Sequence, residues 1–164
     1  MFVPLHDTNP LKKIRFPYVT VGLIVFNVAV YVVLQTGWII PLDDEDLTAF
    51  AVVPAQLLAN SGGDTAFLAT GAVLVPERLT LVTYMFLHGG WIHLIGNMLF
   101  LWVFGDNIED AMGHVRFVMF YLMCGIFAAL AHTYMLPKSD LPLIGASGAV
   151  AGIISAYLIL HPKV

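Results

Sequence analysis

Four residues in this chain have types and spacing suited to chemistry. Ser147 lies in "LIGASGAVAG" (143–152), the only hydroxyl in a run rich in glycine and alanine, and His88, His93 and Asn97 lie in "HGGWIHLIGN" (88–97). A serine hydroxyl is inert at its free pKa and becomes a nucleophile only beside a base. Donors aimed at one point are what an acyl-transfer oxyanion requires. His93 and Asn97, spaced i,i+4, share one helix face, whereas His88 lies five residues earlier, about 140° around an ideal helix. A second account fits the same residues. Polar side chains in apolar helices bond helix to helix, and Gly148 and Gly152 form a GxxxG step, flanked by Gly145, Ala146, Ala149 and Ala151, that favours close packing. Spacing alone does not choose between the two. A metal site is a poorer option, because HExxH is absent and two histidines at this spacing make a weak ligand pair. No metal or other cofactor is expected.

These residues need elements to hold them. Of the 164 residues, 59% are hydrophobic and 11% charged, with a mean hydropathy of +0.86. A soluble domain carries about 25% charged residues, so the composition points to an all-α membrane protein of one domain. The net charge of −4 argues against a nucleic-acid partner. The single cysteine, Cys124, forms no intrachain disulfide and reads as a buried, inert thiol. Crossing a bilayer takes about 20 apolar residues, and four stretches qualify, at 17–37, 82–104, 115–136 and 143–160. The first is too long for a signal-peptide core and has no clear cleavage site, so it is expected to be retained. In the second, the helix is expected to begin near Trp91. The long connection 38–81 is expected to lie at the membrane interface through "LTAFAVVPAQLLAN", followed by a turn at "SGGD". "GDNIEDAMG" (105–113) reads most simply as a solvated turn, with Glu109 alternatively pinning helices together.

Lys12, Lys13 and Arg15 precede the first span, His114 and Arg116 separate the second and third, and Lys163 follows the fourth. The positive-inside rule then places the N-terminal segment 1–16, the 105–116 loop and the C-terminus in the cytoplasm. That orientation puts His88, His93, Asn97 and Ser147 in the outer half of the bilayer, although they come from two distant parts of the sequence. His161 lies fourteen residues past Ser147, about 21 Å along a helix, too far to serve it as a base.

Taken in order, His88-x4-His93-x3-Asn97, then Gly105-x3-Glu109-x3-Gly113, then Gly145-x-Ser147-Gly148-x3-Gly152, the chain resembles the rhomboid family of intramembrane serine proteases. "VVPAQLL" in the first loop resembles a segment of many bacterial members. The resemblance implies a rhomboid-like helical bundle over 17–164, with four transmembrane helices present of an expected six. By motif match Ser147 is the nucleophile, and His93, Asn97 and the Ser147 backbone N–H are the oxyanion donors. His88, Gly145, Gly148 and Glu109 have supporting roles. Family substrates are transmembrane helices of other proteins, cut in the outer leaflet without metal or cofactor. The implied location is a bacterial plasma membrane; the sequence says nothing of oligomeric state.

The chain departs from the family pattern in two places. "RLTLVT" stands where a Trp-Arg pair often precedes the helix 2 histidines, and the family's base, a histidine of helix 6, has no counterpart before Val164. The chain therefore reads as the N-terminal two-thirds of such a protease, expected to be inactive alone. Two other readings stay open: a non-catalytic rhomboid-like protein that binds transmembrane helices, and a small membrane subunit of a larger complex.

Overall fold

The computed structural model describes residues 11–59 and 75–162. The first ten residues, the "SGGD" turn (61–64) and Lys163 lie outside the described residues. The helices run in the order α1 (Tyr18–Val30, continuing as a π-helical turn Tyr31–Gln35), α2 (Asp44–Thr48), α3 (Pro54–Ala59), α4 (Glu77–Thr83, continuing as a 3₁₀ turn Tyr84–Phe86), α5 (Trp91–Met112), α6 (His114–Met135) and α7 (Ser147–Leu160). One antiparallel bridge joins Val52 to Leu143.

Two of these elements, Tyr18–Gln35 and His114–Met135, are each long and apolar enough to cross a membrane, and α4 with α5 passes the same test as a pair bent by 83°. The burial pattern reverses that of a water-soluble domain. Ile92, Ile95, Val115, Met119, Met123 and Phe127 are exposed, while Thr20, Asn27, Asn97, Asn107, Glu109 and Thr133 are buried. Lipid tolerates apolar side chains outside and drives polar ones to the bundle interior. The chain is an all-α membrane protein.

The second span is interrupted at 87–90, and its helix proper starts at Trp91, as expected. Two boundaries differ from the sequence reading. The expected turn at 105–113 is helix as far as Met112, and Gly113, at φ +83°, makes the turn to α6 alone. The carboxylates of Glu109 and Asp110 do not need bulk water there, because backbone N–H groups of the chain's start solvate them. Glu109 accepts from the N–H groups of Val19 and Thr20 at 3.0 and 2.8 Å, and Asp110 from those of Lys12, Lys13 and Ile14 at 3.0, 2.6 and 2.7 Å. The last helix starts at Ser147 rather than 143 and has 14 residues, about 21 Å of rise. The four preceding residues form a loop that is part of the site.

In the 38–59 region, Val52, Val53 and Pro54 are buried, so the start of "VVPAQLL" packs into the protein, while its end at Leu58 and the preceding Trp38, Ile39 and Ile40 stay exposed. At the far side of the bundle α7 packs mainly on α6. A Cβ on Gly148 would overlap Ala128, and one on Gly152 would overlap Cys124 and lie 2.7 Å from its Cβ. The GxxxG step is therefore a packing face, and half-buried Cys124 is one of the surfaces it packs on. Overpacking of this kind costs about 1–3 kcal/mol. Gly152→Ala is expected to lower the thermal midpoint in detergent, and adding Cys124→Gly should recover most of the loss; an unchanged midpoint in the single variant would refute the contact.

Candidate active site

The site is built from two chain breaks that meet. Residues 143–146 cannot continue α7 backwards, because Gly145 has φ +116°, a conformation open to glycine and strained for other residues. The loop is pinned on both sides. Val52 and Leu143 exchange backbone hydrogen bonds of 3.2 and 2.7 Å, and the Gly145 N–H donates to the Tyr84 carbonyl at 2.9 Å. Tyr84 is fixed in turn through its hydroxyl, which donates to the Gly125 carbonyl at 2.6 Å. A side chain on Gly145 would put its Cβ 2.6 Å from His93 Cε1, so glycine lets the loop pass directly over the imidazole.

That passage brings His93 Nε2 to 3.0 Å from Ser147 Oγ. On the other side of the ring, the Gly89 N–H donates to Nδ1 at 3.3 Å. A nitrogen that accepts from an amide carries no proton of its own, so the neutral ring has its proton on Nε2. His93 therefore donates to the serine oxygen and is not placed to take its proton. Asn97 comes one turn later along α5. It is buried, and its Nδ2 has no hydrogen-bond partner among the described residues. Leaving a buried donor unpaired costs about 1–3 kcal/mol, and such a donor suits an acceptor that arrives with a ligand. Ser147 is the first residue of α7, so its N–H is one of the first-turn donors the helix itself cannot use.

The other expected residues are distributed differently. His88 lies in the break before α5, its ring 5.3 Å from that of His93, and neither ring nitrogen has a partner among the described residues. It lines a cavity of about 370 Å³ together with Tyr31, Gln35, Asp44, Thr48 and Ile144. Gly148 faces α6, not the serine hydroxyl. Glu109 sits at the opposite end of the bundle, where it also bonds Thr20 Oγ1 at 2.7 Å and His114 Nδ1. It thus ties the start of α1 to α5 and α6. His161 lies just past α7 at that distant end, against Tyr157. Sequence reasoning missed Tyr84 and Gln35; the Gln35 side chain both donates to the His88 carbonyl and accepts from the His88 N–H, each at 2.8 Å. Among the described residues no group of three or more His, Cys, Asp or Glu is gathered as metal ligands.

The Rhomboid domain family matches residues 76–164, more than half of the chain, including His93, Asn97 and Ser147. The chain belongs to the rhomboid family. Similar proteins include "RHOMBOID-like protein 6, mitochondrial" of Arabidopsis thaliana, 38% identical over 82 residues, which covers 50% of this chain and 26% of that protein. "Rhomboid-like protein 11, chloroplastic" of the same plant is 34% identical over 85 residues, 52% of this chain and 30% of that protein. "Rhomboid protease GluP" of Bacillus subtilis is 36% identical over 118 residues, 67% of this chain and 23% of that protein. The rhomboid chain thus spans about a quarter to a third of these relatives' lengths. No solved structure matches it.

Proposed function

We propose that this rhomboid chain carries the nucleophile and oxyanion half of an intramembrane serine endopeptidase. The observation that carries the reading is the 3.0 Å contact of His93 Nε2 with Ser147 Oγ, one turn from the unpartnered Nδ2 of Asn97. Helix packing explains Gly148 and Gly152 but has no use for the buried, unpaired amide donor of Asn97, one turn along α5 from His93. Ser147 Oγ attacks the scissile carbonyl and its proton passes to a base. The carbonyl oxygen becomes an oxyanion, held by Nε2–H of His93, Nδ2–H of Asn97 and the Ser147 N–H. Breakdown transfers the proton to the departing amine and leaves an acyl-Ser147 that water releases. Each such donor is worth about 10²–10³ in rate.

The base in this reading is a group other than His93 and lies outside the described residues. His93 has the wrong tautomer for the task, and among the described residues no other imidazole touches Ser147. One face offers a place for a further helix: Ser147, Ala151 and Ser155 form an exposed stripe along α7, narrow enough for close approach. Substrates in this reading are transmembrane helices, reached from the lipid. Residues 17–164 act as one membrane domain, with the Glu109 end in the cytoplasm and the Ser147 end outward. The positive-inside charges support that orientation, because the strap bearing Lys12 and Lys13 lies at the Glu109 end. A bacterial plasma membrane is our proposed location, with mitochondrial and chloroplast membranes as the alternatives that the organellar relatives bring in.

A serine-reactive fluorophosphonate tests the assignment. The natural protein at full length is expected to label, its Ser147→Ala variant to lose labelling entirely, and the 164-residue chain alone to show no Ser147-dependent cleavage of a transmembrane substrate. Equal labelling with and without Ser147 would overturn the nucleophile. Cleavage by the short chain would overturn the external base.

A further inference from the structure

We propose that Gln35, at the end of α1, is a positioning residue for the serine site and sets the orientation and tautomer of His93. The proposal rests on the assignment of Ser147 as nucleophile and His93 as oxyanion donor, and adds a residue from a different span. Leu87 still bonds back to the 3₁₀ turn and the Gly90 carbonyl opens the α5 ladder, but His88 between them lies outside both ladders. His88 is 2% exposed, and its N–H and C=O must still be satisfied. The carboxamide of Gln35 does both, as a neighbouring strand would, with two bonds of 2.8 Å.

The next residue carries that order to the site. The Gly89 N–H, fixed by the clamped His88, donates to His93 Nδ1 at 3.3 Å, and His93 Nε2 reaches Ser147 Oγ at 3.0 Å. The connection from Gln35 to Ser147 is thus made of four hydrogen bonds, one of them the tautomer-setting contact.

The π-helical turn gives the arrangement its geometry. The Thr36 N–H bonds back to the Tyr31 carbonyl, five residues earlier, which amounts to one extra residue in the turn. An inserted residue rotates the downstream side chains by about 100° relative to an uninterrupted α-helix. Gln35 faces the His88 backbone because of that rotation. At the start of the same turn, Tyr31 packs its ring 4.8 Å from that of Trp91, the first residue of α5, so the clamp and the helix it serves are also joined by packing.

The test uses the 164-residue chain in detergent micelles for spectroscopy and the full-length natural protein for labelling. In Gln35→Leu, the Gly89 amide is expected to exchange with solvent at least tenfold faster, and the His93 ring nitrogens to lose the fixed Nε2–H signature in their ¹⁵N shifts. Fluorophosphonate labelling of Ser147 should slow at least tenfold. Gln35→Glu keeps the acceptor for the His88 N–H and loses the donor to its carbonyl, so it should fall between; it also reads the effect if the leucine variant folds poorly. An unchanged Gly89 exchange rate and His93 spectrum in the folded leucine and glutamate variants would overturn the proposal, even if both melt earlier, because that outcome means packing alone. Absence of labelling in the wild-type protein would sink the nucleophile reading instead, and the exchange and ¹⁵N measurements would still decide the role of Gln35.

Discussion

Gly145→Ala is expected to disable the site while leaving the helices in place. Two separate costs meet at this position. The backbone at φ +116° is strained for any residue with a Cβ, at about 1–3 kcal/mol. The new methyl would also lie 2.6 Å from His93 Cε1 and 2.8 Å from Nε2, closer than real carbon atoms approach, so the ring or the loop must move. Either movement separates His93 from Ser147. A displacement of about 1 Å costs roughly 10²-fold in a positioned reaction, and fluorophosphonate labelling of the full-length protein should fall by that order. A double-mutant cycle separates the two costs. With His93→Ala in place the steric conflict disappears and only the backbone strain remains, so Gly145→Ala should destabilise the His93→Ala protein less than the parent. Additive costs in that cycle, measured as thermal midpoints in detergent, would show that the loop does not rest on the imidazole.

This position also shows how far the sequence could be read. Hydropathy located the bundle because lipid imposes one simple rule over about twenty residues at a time, and α1 and α6 fall within a few residues of the expected limits. His93, Asn97 and Ser147 were visible as polar residues in apolar surroundings, and charge asymmetry alone placed them at one end. The start of α7 was not visible. "LIGAS" is as apolar as the helix it precedes, and the features that keep it out of the helix are a positive φ at one glycine and a two-residue pairing with Val52. A pairing that short has no periodicity to detect. Gln35 was hidden for a related reason: a glutamine at the end of a span reads as an interfacial residue, and only the π turn aims it at His88. The segment 105–113 misled because carboxylates normally mean water. Here backbone N–H groups from distant parts of the chain, 98 residues away for Lys12 and 89 for Thr20, take the place of water. No local pattern announces a partner that distant.

The same long-range solvation makes Glu109→Ala the variant expected to harm folding most. The Glu109 side chain is fully buried and accepts four hydrogen bonds: two from the first-turn N–H groups of α1, one from the Thr20 hydroxyl and one from His114. It caps α1 from another helix, a task left open because Pro17 supplies no side-chain cap. Removing it leaves those N–H groups unpaired around a buried position, at about 1–3 kcal/mol each, so a total loss of about 3–5 kcal/mol is expected. Glu109→Gln keeps one acceptor oxygen but turns an NH₂ toward donors, and should lose less than the alanine variant without matching the parent. Asp110 provides the control on the adjacent residue. Its carboxylate also accepts backbone N–H groups, from Lys12, Lys13 and Ile14, but Lys12 and Lys13 are exposed, and water can replace the lost acceptor. Asp110→Ala loses three charge-assisted bonds but frees donors that water can reach, so it should cost less than Glu109→Ala, about 1–2 kcal/mol. Thermal midpoints of the three variants in one detergent decide the matter. If Asp110→Ala proves as damaging as Glu109→Ala, the penalty comes from loss of negative charge at that end of the bundle and not from orphaned donors at the start of α1.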